Sequence, residues 1–137
     1  MKQAESLKTI VYNAVLKGII QDEYKPGEIL NEKQLVEKYE VSKSPVREAL
    51  LSLCNEGVLR NIPRYGYEVV RLTKEDISNI LRFRLILESG CLRESYLRIG
   101  PVQLKRLEEL NCLCCDQQSG DDMWTHWKHN QDFHMQL

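Results

Sequence analysis

The hydrophobic period changes at Val58, and this constrains the chain more than any other feature. Before that point apolar residues recur every three or four positions. Over the next dozen residues they alternate, and after Thr73 the helical spacing returns. Three-and-four spacing stacks side chains along one face of a helix, whereas alternation puts them on one face of a strand. A chain of 137 residues with this order is expected to be a small helical unit closed by a hairpin, followed by a second, all-helical unit.

Leu7, Ile10, Val11, Ala14, Val15 and Ile19 predict an amphipathic helix over 4–20. Tyr24-Lys25-Pro26-Gly27 is turn chemistry. Asn31, with Gln34 three residues on, predicts a capping box that opens a second helix with Leu35, Val36 and Tyr39 on its apolar face. Glu40-Val41-Ser42 interrupts it. A third helix is expected to start near Ser42-Lys43-Ser44-Pro45, capped by Ser42 or Ser44, with proline in the first turn where its missing N–H costs nothing. Val46, Ala49, Leu50 and Leu53 form its stripe, and Gly57 stops it. Val58–Ile62 and Tyr67–Arg71 then read as two strands around a Pro63-Arg64-Tyr65-Gly66 turn, with Tyr67, Val69 and Arg71 on one face.

In the second half, Thr73 with Asp76 predicts another capping box, and Ile77, Ile80, Leu81, Leu85, Leu87, Cys91, Leu92 and Tyr96 carry helical spacing to Ile99. Gly100-Pro101 ends that helix. Leu104, Leu107, Leu110 and Leu113 or Cys114 mark the next, Ser119-Gly120-Asp121 is a loop, and Asp122–Leu137 reads as a last helix. The expected fold class is mostly α: a winged helix-turn-helix of three helices plus a β-hairpin over 1–72, then an incomplete all-α bundle over 73–137.

Lys+Arg number 19 and Asp+Glu 20, for a net charge of −1, which argues against a polybasic or histone-like protein. Any contact with nucleic acid must come from local placement. No run approaches the roughly 20 apolar residues of a membrane span. The start, Met1-Lys2-Gln3-Ala4-Glu5-Ser6, lacks the pattern of a secretory signal, so the expected location is the cytoplasm. The five cysteines are an odd number, and free thiols are expected. Cys112-Leu113-Cys114-Cys115 has the wrong spacing for a zinc knuckle. It reads instead as small buried apolar residues on a helix.

The order of helix, tight turn, capped helix and two-stranded wing suits DNA. The major groove admits one α-helix, whose N-terminal residues reach base edges. Lys43, Ser44 and Arg47 occupy the first turns of the third helix. A cation there suits guanine O6/N7, and a hydroxyl suits base or phosphate. Arg60 and Arg64 flank a tip where Gly66 lets backbone approach a phosphate or enter the minor groove. Taken singly, Lys43 and Arg47 read equally as solvated surface charges, and Gly66 as a hairpin glycine. Their combination in the required order favours DNA.

The residues Pro26-Gly27-Glu28-Ile29-Leu30-Asn31-Glu32, Leu35, Val41-Ser42-Lys43-Ser44-Pro45-Val46-Arg47-Glu48-Ala49-Leu50, Leu53, Glu56-Gly57-Val58-Leu59, Gly66 and Val69 resemble the GntR-type bacterial transcription regulators over about 7–70. The family commonly has Arg-Thr where Lys43-Ser44 stands. Lys keeps a donor but not the bidentate Arg fork, so operator preference is expected to differ. The resemblance implies that Glu32, Lys43, Ser44 and Arg47 are the helix contacts and that Arg64 and Gly66 act in the wing. Glu32 would accept from a cytosine N4 or orient a neighbouring Arg. It reads equally as an acidic residue favoured at a helix N-terminus.

Arg84 and Glu88, four apart, read as an intrahelical ion pair. They also resemble an early motif of the FCD subgroup, GntR regulators with an all-helical ligand domain. His126, Asn130 and His134 share one helical face, and histidines four apart can chelate a transition metal. Asn130-Gln131-Asp132-Phe133-His134 resembles a metal motif of the same subgroup. This implies Asn130 and His134 as ligands of a divalent metal, zinc or similar, with two further histidines expected on later helices. Here the first ligand is a neutral Asn, and the later histidines are absent up to Leu137. Residues 73–137 therefore look like the first half of such a domain, its metal site incomplete; a polar helix face reads equally well.

The resemblance implies a regulator, not an enzyme: a homodimer on an inverted-repeat operator, with affinity set by a small carboxylate effector of the full helical domain. An effector-insensitive DNA-binding or dimerising fragment is the alternative. A metalloenzyme built on His126, His134 and a cysteine lacks any nucleophile with an ordered base.

Overall fold

Described here are residues 6–115 and 122–137 of a computed structural model. They form two compact units that part between Arg71 and Leu72.

In the first unit Ser6 accepts from the Thr9 N–H (3.1 Å) and opens α1, Leu7–Ile20. Residues 4 and 5 of the expected helix lie outside the described residues. Val11, Val15 and Leu16 face the core. A turn follows in which the Gly18 carbonyl accepts from Glu23 and Tyr24. Ile29–Leu30 forms a short strand, β1, which alternation over two residues is too brief to signal. Asn31 caps α2, Glu32–Tyr39, by accepting from the Lys33 N–H at 2.8 Å. This is one residue earlier than the capping box expected with Gln34. A left-handed Glu40 (φ 52°) turns the chain out of α2.

The next helix, α3, spans Lys43–Asn55 with Ser42 at its cap position, and no side-chain bond is made there. Ser44 is inside the helix and donates to Glu48 one turn on (2.8 Å), so neither serine plays the expected capping role. Val46, Ala49, Leu50 and Leu53 are fully buried, as their spacing predicts. Gly57, at φ 73°, takes the left-handed bend that ends the helix.

Two strands follow, β2 (Leu59–Ile62) and β3 (Gly66–Val69). The sheet is antiparallel in the order β1-β3-β2, with Leu30 opposite Tyr67, Arg60 opposite Glu68 and Ile62 opposite Gly66. Tyr67 and Val69 point inward, as expected. Arg71 lies past the strand and is exposed. The wing is therefore the outer pair of a three-stranded sheet whose third strand ties it to the turn before α2.

The second unit is all helix where described. Thr73 and Asp76 form the predicted capping box on α4, Lys74–Ser95. A 3₁₀ turn, Tyr96–Arg98, follows it, so the α-helix ends at Ser95, four residues short of the expected Ile99. Pro101 opens α5, Pro101–Cys115, at the first helical position that suits it. Residues 116–118 and the expected loop at 119–121 lie outside the described residues. Asp122 caps α6, Met123–Gln136, through the Thr125 N–H at 2.8 Å.

Helices α5 and α6 pack together, with Leu110 buried. Cys112 and Cys115 are exposed and Cys114 half-buried, against the expectation of buried thiols. Leu107, Leu110 and Cys114 share the covered stripe, and Cys112 and Cys115 fall off it. All five cysteines are free. No described helix is long and apolar enough to cross a membrane.

Candidate nucleic-acid interface

The first turn of α3, the start of α2 and the hairpin tip surround an open groove of about 840 Å³. Glu32, Lys43, Arg47, Arg64 and Gly66 all line it. Ser44, predicted to act with them, does not; its hydroxyl is spent on Glu48.

Each position has a local cause. Val46, Ala49, Leu50 and Leu53 form the buried stripe of α3; Lys43, at the start of the helix, and Arg47, on the flank of that stripe, stay exposed. Arg64 sits at the hairpin tip with φ 71°, a conformation that costs a non-glycine residue on the order of 1–3 kcal/mol. That bend lets the Tyr65 N–H close back on the Ile62 carbonyl at 3.0 Å. Gly66 has φ 137°, and a Cβ there would stand 2.4 Å from the Leu30 carbonyl oxygen. The wing can leave β1 at this angle only because residue 66 has no side chain.

At the centre of the groove is a charged network. Arg47 donates side-on to Glu32 from Nε (2.9 Å) and Nη2 (3.0 Å). The Tyr67 hydroxyl donates to the same carboxylate at 3.0 Å, and Lys43 Nζ lies 3.7 Å from it. The Glu32 side chain is only 18% exposed, against 53% for Arg47 and 68% for Lys43. The Arg47 guanidinium holds the Glu32 carboxyl below its usual range, outweighing partial burial, and Tyr67 and Lys43 act in the same direction. Burial, then the anionic Glu32, push the Tyr67 hydroxyl up, so it remains a donor.

On the far side of the hairpin, Arg60 binds Glu68 across the strands at 2.7 Å. Arg60 is thus paired outside the groove, whereas Arg64 carries the tip. Sequence reasoning missed Tyr67 as a member of the network. Alternation marked it as an inward residue, but its partner is 35 residues away. It also missed Tyr65, which is 71% exposed at the tip.

In the second unit Arg84 Nε binds Glu88 at 2.7 Å, the predicted intrahelical pair. His134 Nδ1 also reaches Glu88, at 2.8 Å. Burial opposes the charge on Glu88, but Arg84 and His134 outweigh it and hold the carboxyl below its usual range. Asn130 is one turn before His134 on α6. No group of three or more His, Cys, Asp or Glu among the described residues is arranged to hold a metal ion. Glu88 engages His134 at Nδ1 and leaves Nε2 open, so Asn130 and His134 offer two donors, fewer than a metal centre needs.

A hairpin-flanked recognition helix with cations in its first turns, followed by a separate helical unit, defines the class of winged-helix regulators. Comparison with known proteins narrows this. Residues 7–69 match the profile of bacterial regulatory proteins of the gntR family, and residues 79–137 match the FCD domain. The chain belongs to the GntR family, FCD subgroup, a family of transcriptional regulators and not enzymes.

It is 40% identical over 105 residues to YdhC, an uncharacterized HTH-type transcriptional regulator of Bacillus subtilis, covering 72% of this chain and 47% of YdhC. It is 39% identical over 75 residues to the gluconate operon transcriptional repressor of the same organism, covering 55% of this chain and 29% of the repressor. Among solved structures, Escherichia coli McbR/YncC superposes with a TM-score of 0.73 at 30% identity, over 96% of this chain and 62% of that one. The chain spans about half the length of YdhC and under a third of the gluconate repressor.

Proposed function

We infer that the chain binds operator DNA as a homodimer, each α3 reading one half of an inverted repeat from the major groove while the Arg64–Gly66 tip follows the adjacent backbone or minor groove. The placement of Arg47 and Lys43 on the exposed first turns of α3, facing the wing groove, carries this reading. Glu32 acts by orienting Arg47 rather than by meeting a cytosine, because both its oxygens are already engaged by protein donors. Lys43, Arg64 and the backbone at Gly66 supply positioning contacts, which hold register without reading sequence. Ser44 reaches phosphate only by leaving Glu48.

The helical unit would couple a small effector to this binding through different affinities in two conformations. A carboxylate is the class we favour; the matched repressors of a gluconate operon support it. Asn130 and His134 would join a metal only with ligands from outside the described residues.

The test is binding of the purified chain to its own upstream DNA at two salt concentrations, beside Arg47→Ala and with and without gluconate. Specific binding that weakens with salt and is lost in Arg47→Ala supports the reading. Equal binding by Arg47→Ala overturns the assignment of α3. A shift with gluconate supports the carboxylate effector, and its absence in a binding-competent chain rejects gluconate.

A further inference from the structure

We propose that Tyr67, a wing residue whose ring is in the core, positions Arg47 for a single guanine by fixing the Glu32 carboxylate between them. This rests on the DNA-reading function argued above and adds a residue that acts through Glu32 and Arg47 rather than by reading a base itself.

The geometry divides the labour. A guanidinium carries five N–H donors. Arg47 spends two of them, on Nε and Nη2, along one edge against Glu32. The opposite edge, Nη1 with the second hydrogen of Nη2, remains for a ligand. That end-on pair is the fork that fits guanine O6 and N7. An unbuttressed arginine on an exposed helix turn samples many rotamers and offers the fork in many directions. The Glu32 clamp removes that freedom only if Glu32 itself is held.

Glu32 is held from the wing. Tyr67 is 6% exposed, opposite Leu30 and Asn61 in the sheet, so its ring cannot move without the sheet. Its hydroxyl donates to Glu32 Oε1, the oxygen that also accepts Arg47 Nε. The chain of contacts thus runs from sheet to phenol to carboxylate to guanidinium, linking β3, α2 and α3 at one point. A wing displaced from α3 would release the carboxylate and with it the direction of the fork.

The experiment uses the whole chain. Random-sequence duplexes are enriched on the parent protein, and the enriched site is then bound with each base pair replaced in turn. The position read by Arg47 is the guanine at which Arg47→Ala loses discrimination. At that position Tyr67→Phe is expected to lose about five- to tenfold of the discrimination, the size of one ordinary hydrogen bond. Selectivity at the other positions, affinity for unrelated duplex at low salt and the melting midpoint of the first unit should barely change. Arg47→Ala with Tyr67→Phe should discriminate no worse than Arg47→Ala alone.

A uniform loss at every position, in step with melting, means Tyr67 is only structural and overturns the proposal. So does full discrimination in Tyr67→Phe. If the parent protein enriches no sequence, or no guanine depends on Arg47, the DNA-reading function and the positioning role fall together.

Discussion

The two units are both built of regular elements but are held in different ways. Thirteen of the fourteen buried apolar residues among those described belong to the first unit; only Leu110 belongs to the second. In the first unit α1, α3 and the sheet close over Val11, Val15, Leu50, Leu53, Leu59 and Val69. In the second, Leu81, Leu85 and Ile86 on α4 are more than half exposed. Apart from the His134–Glu88 contact with α6, what orders α4 is local: a capping box at Thr73 and an ion pair one turn apart at Arg84 and Glu88. Helical spacing therefore announces a helix equally well in both units, but it does not say which stripe is covered.

The largest effects should separate the units directly. Leu50→Ala removes a fully buried side chain and should cost about 2–5 kcal/mol, because a cavity is left behind. Leu85→Ala, at a position 69% exposed, should cost less than about 0.5 kcal/mol. Denaturant unfolding followed by hydrogen exchange on each unit measures both. Equal costs would mean that α4 has a covered core in solution and would erase the contrast.

Glycines sharpen the same comparison with opposite signs. Gly66→Ala meets the Leu30 carbonyl and a left-handed φ at once, and should destabilise the wing by roughly 1–3 kcal/mol. Gly90 lies within α4 with nothing near its missing Cβ. Gly90→Ala should stabilise that helix by about 0.5–1 kcal/mol. Loss of stability at Gly90 would reveal a close neighbour at that face.

Much of the fold was legible because it is decided locally. The stripes of α1 and α3, the Thr73 box, the hairpin turn and the Arg84–Glu88 pair depend on residues a few positions apart. The misses depend on distance or on competition. Strand β1 exists because Leu30 pairs with Tyr67 across the chain. Ser44 does not cap α3, because it lies inside the helix and donates to Glu48 one turn away. Cys112 and Cys115 stand two and five positions after Leu110, not three or four, so the real stripe passes them by. At the candidate site the chemistry of Glu32 and Arg47 was visible, but not that Tyr67 joins them.

Caps offer a smaller test. Thr73→Ala removes a reciprocal box and should cost about 1 kcal/mol, read as lost exchange protection in the first turns of α4. Asn31→Ala should cost α2 a similar amount. Because α2 is also anchored by buried Leu35 while α4 has no buried residue, fraying should spread further in α4.

The smallest expected effect concerns acid. Glu32 and Glu88, one in each unit, are both held below the usual carboxylate range, by Arg47 in one case and, against burial, by Arg84 and His134 in the other. A carboxyl whose folded pKa is depressed binds its proton more readily in the unfolded chain, so it adds stability above its unfolded pKa. That contribution is lost as pH falls through the ordinary carboxylate range toward the folded value. Glu32→Gln should therefore flatten the acid side of the stability profile in the α2–α3 segment, and Glu88→Gln should do so in α4. The two should also differ. Three donors from two elements, α3 and β3, converge on Glu32, so its protonation should loosen the wing as well as α3. Glu88 ties only α4 to α6. Exchange protection compared between neutral pH and about pH 4 would show this as a loss spread over residues 59–69 in the first case. A loss confined to α2 in the parent protein would mean the wing does not feel Glu32, and would remove the link through Tyr67.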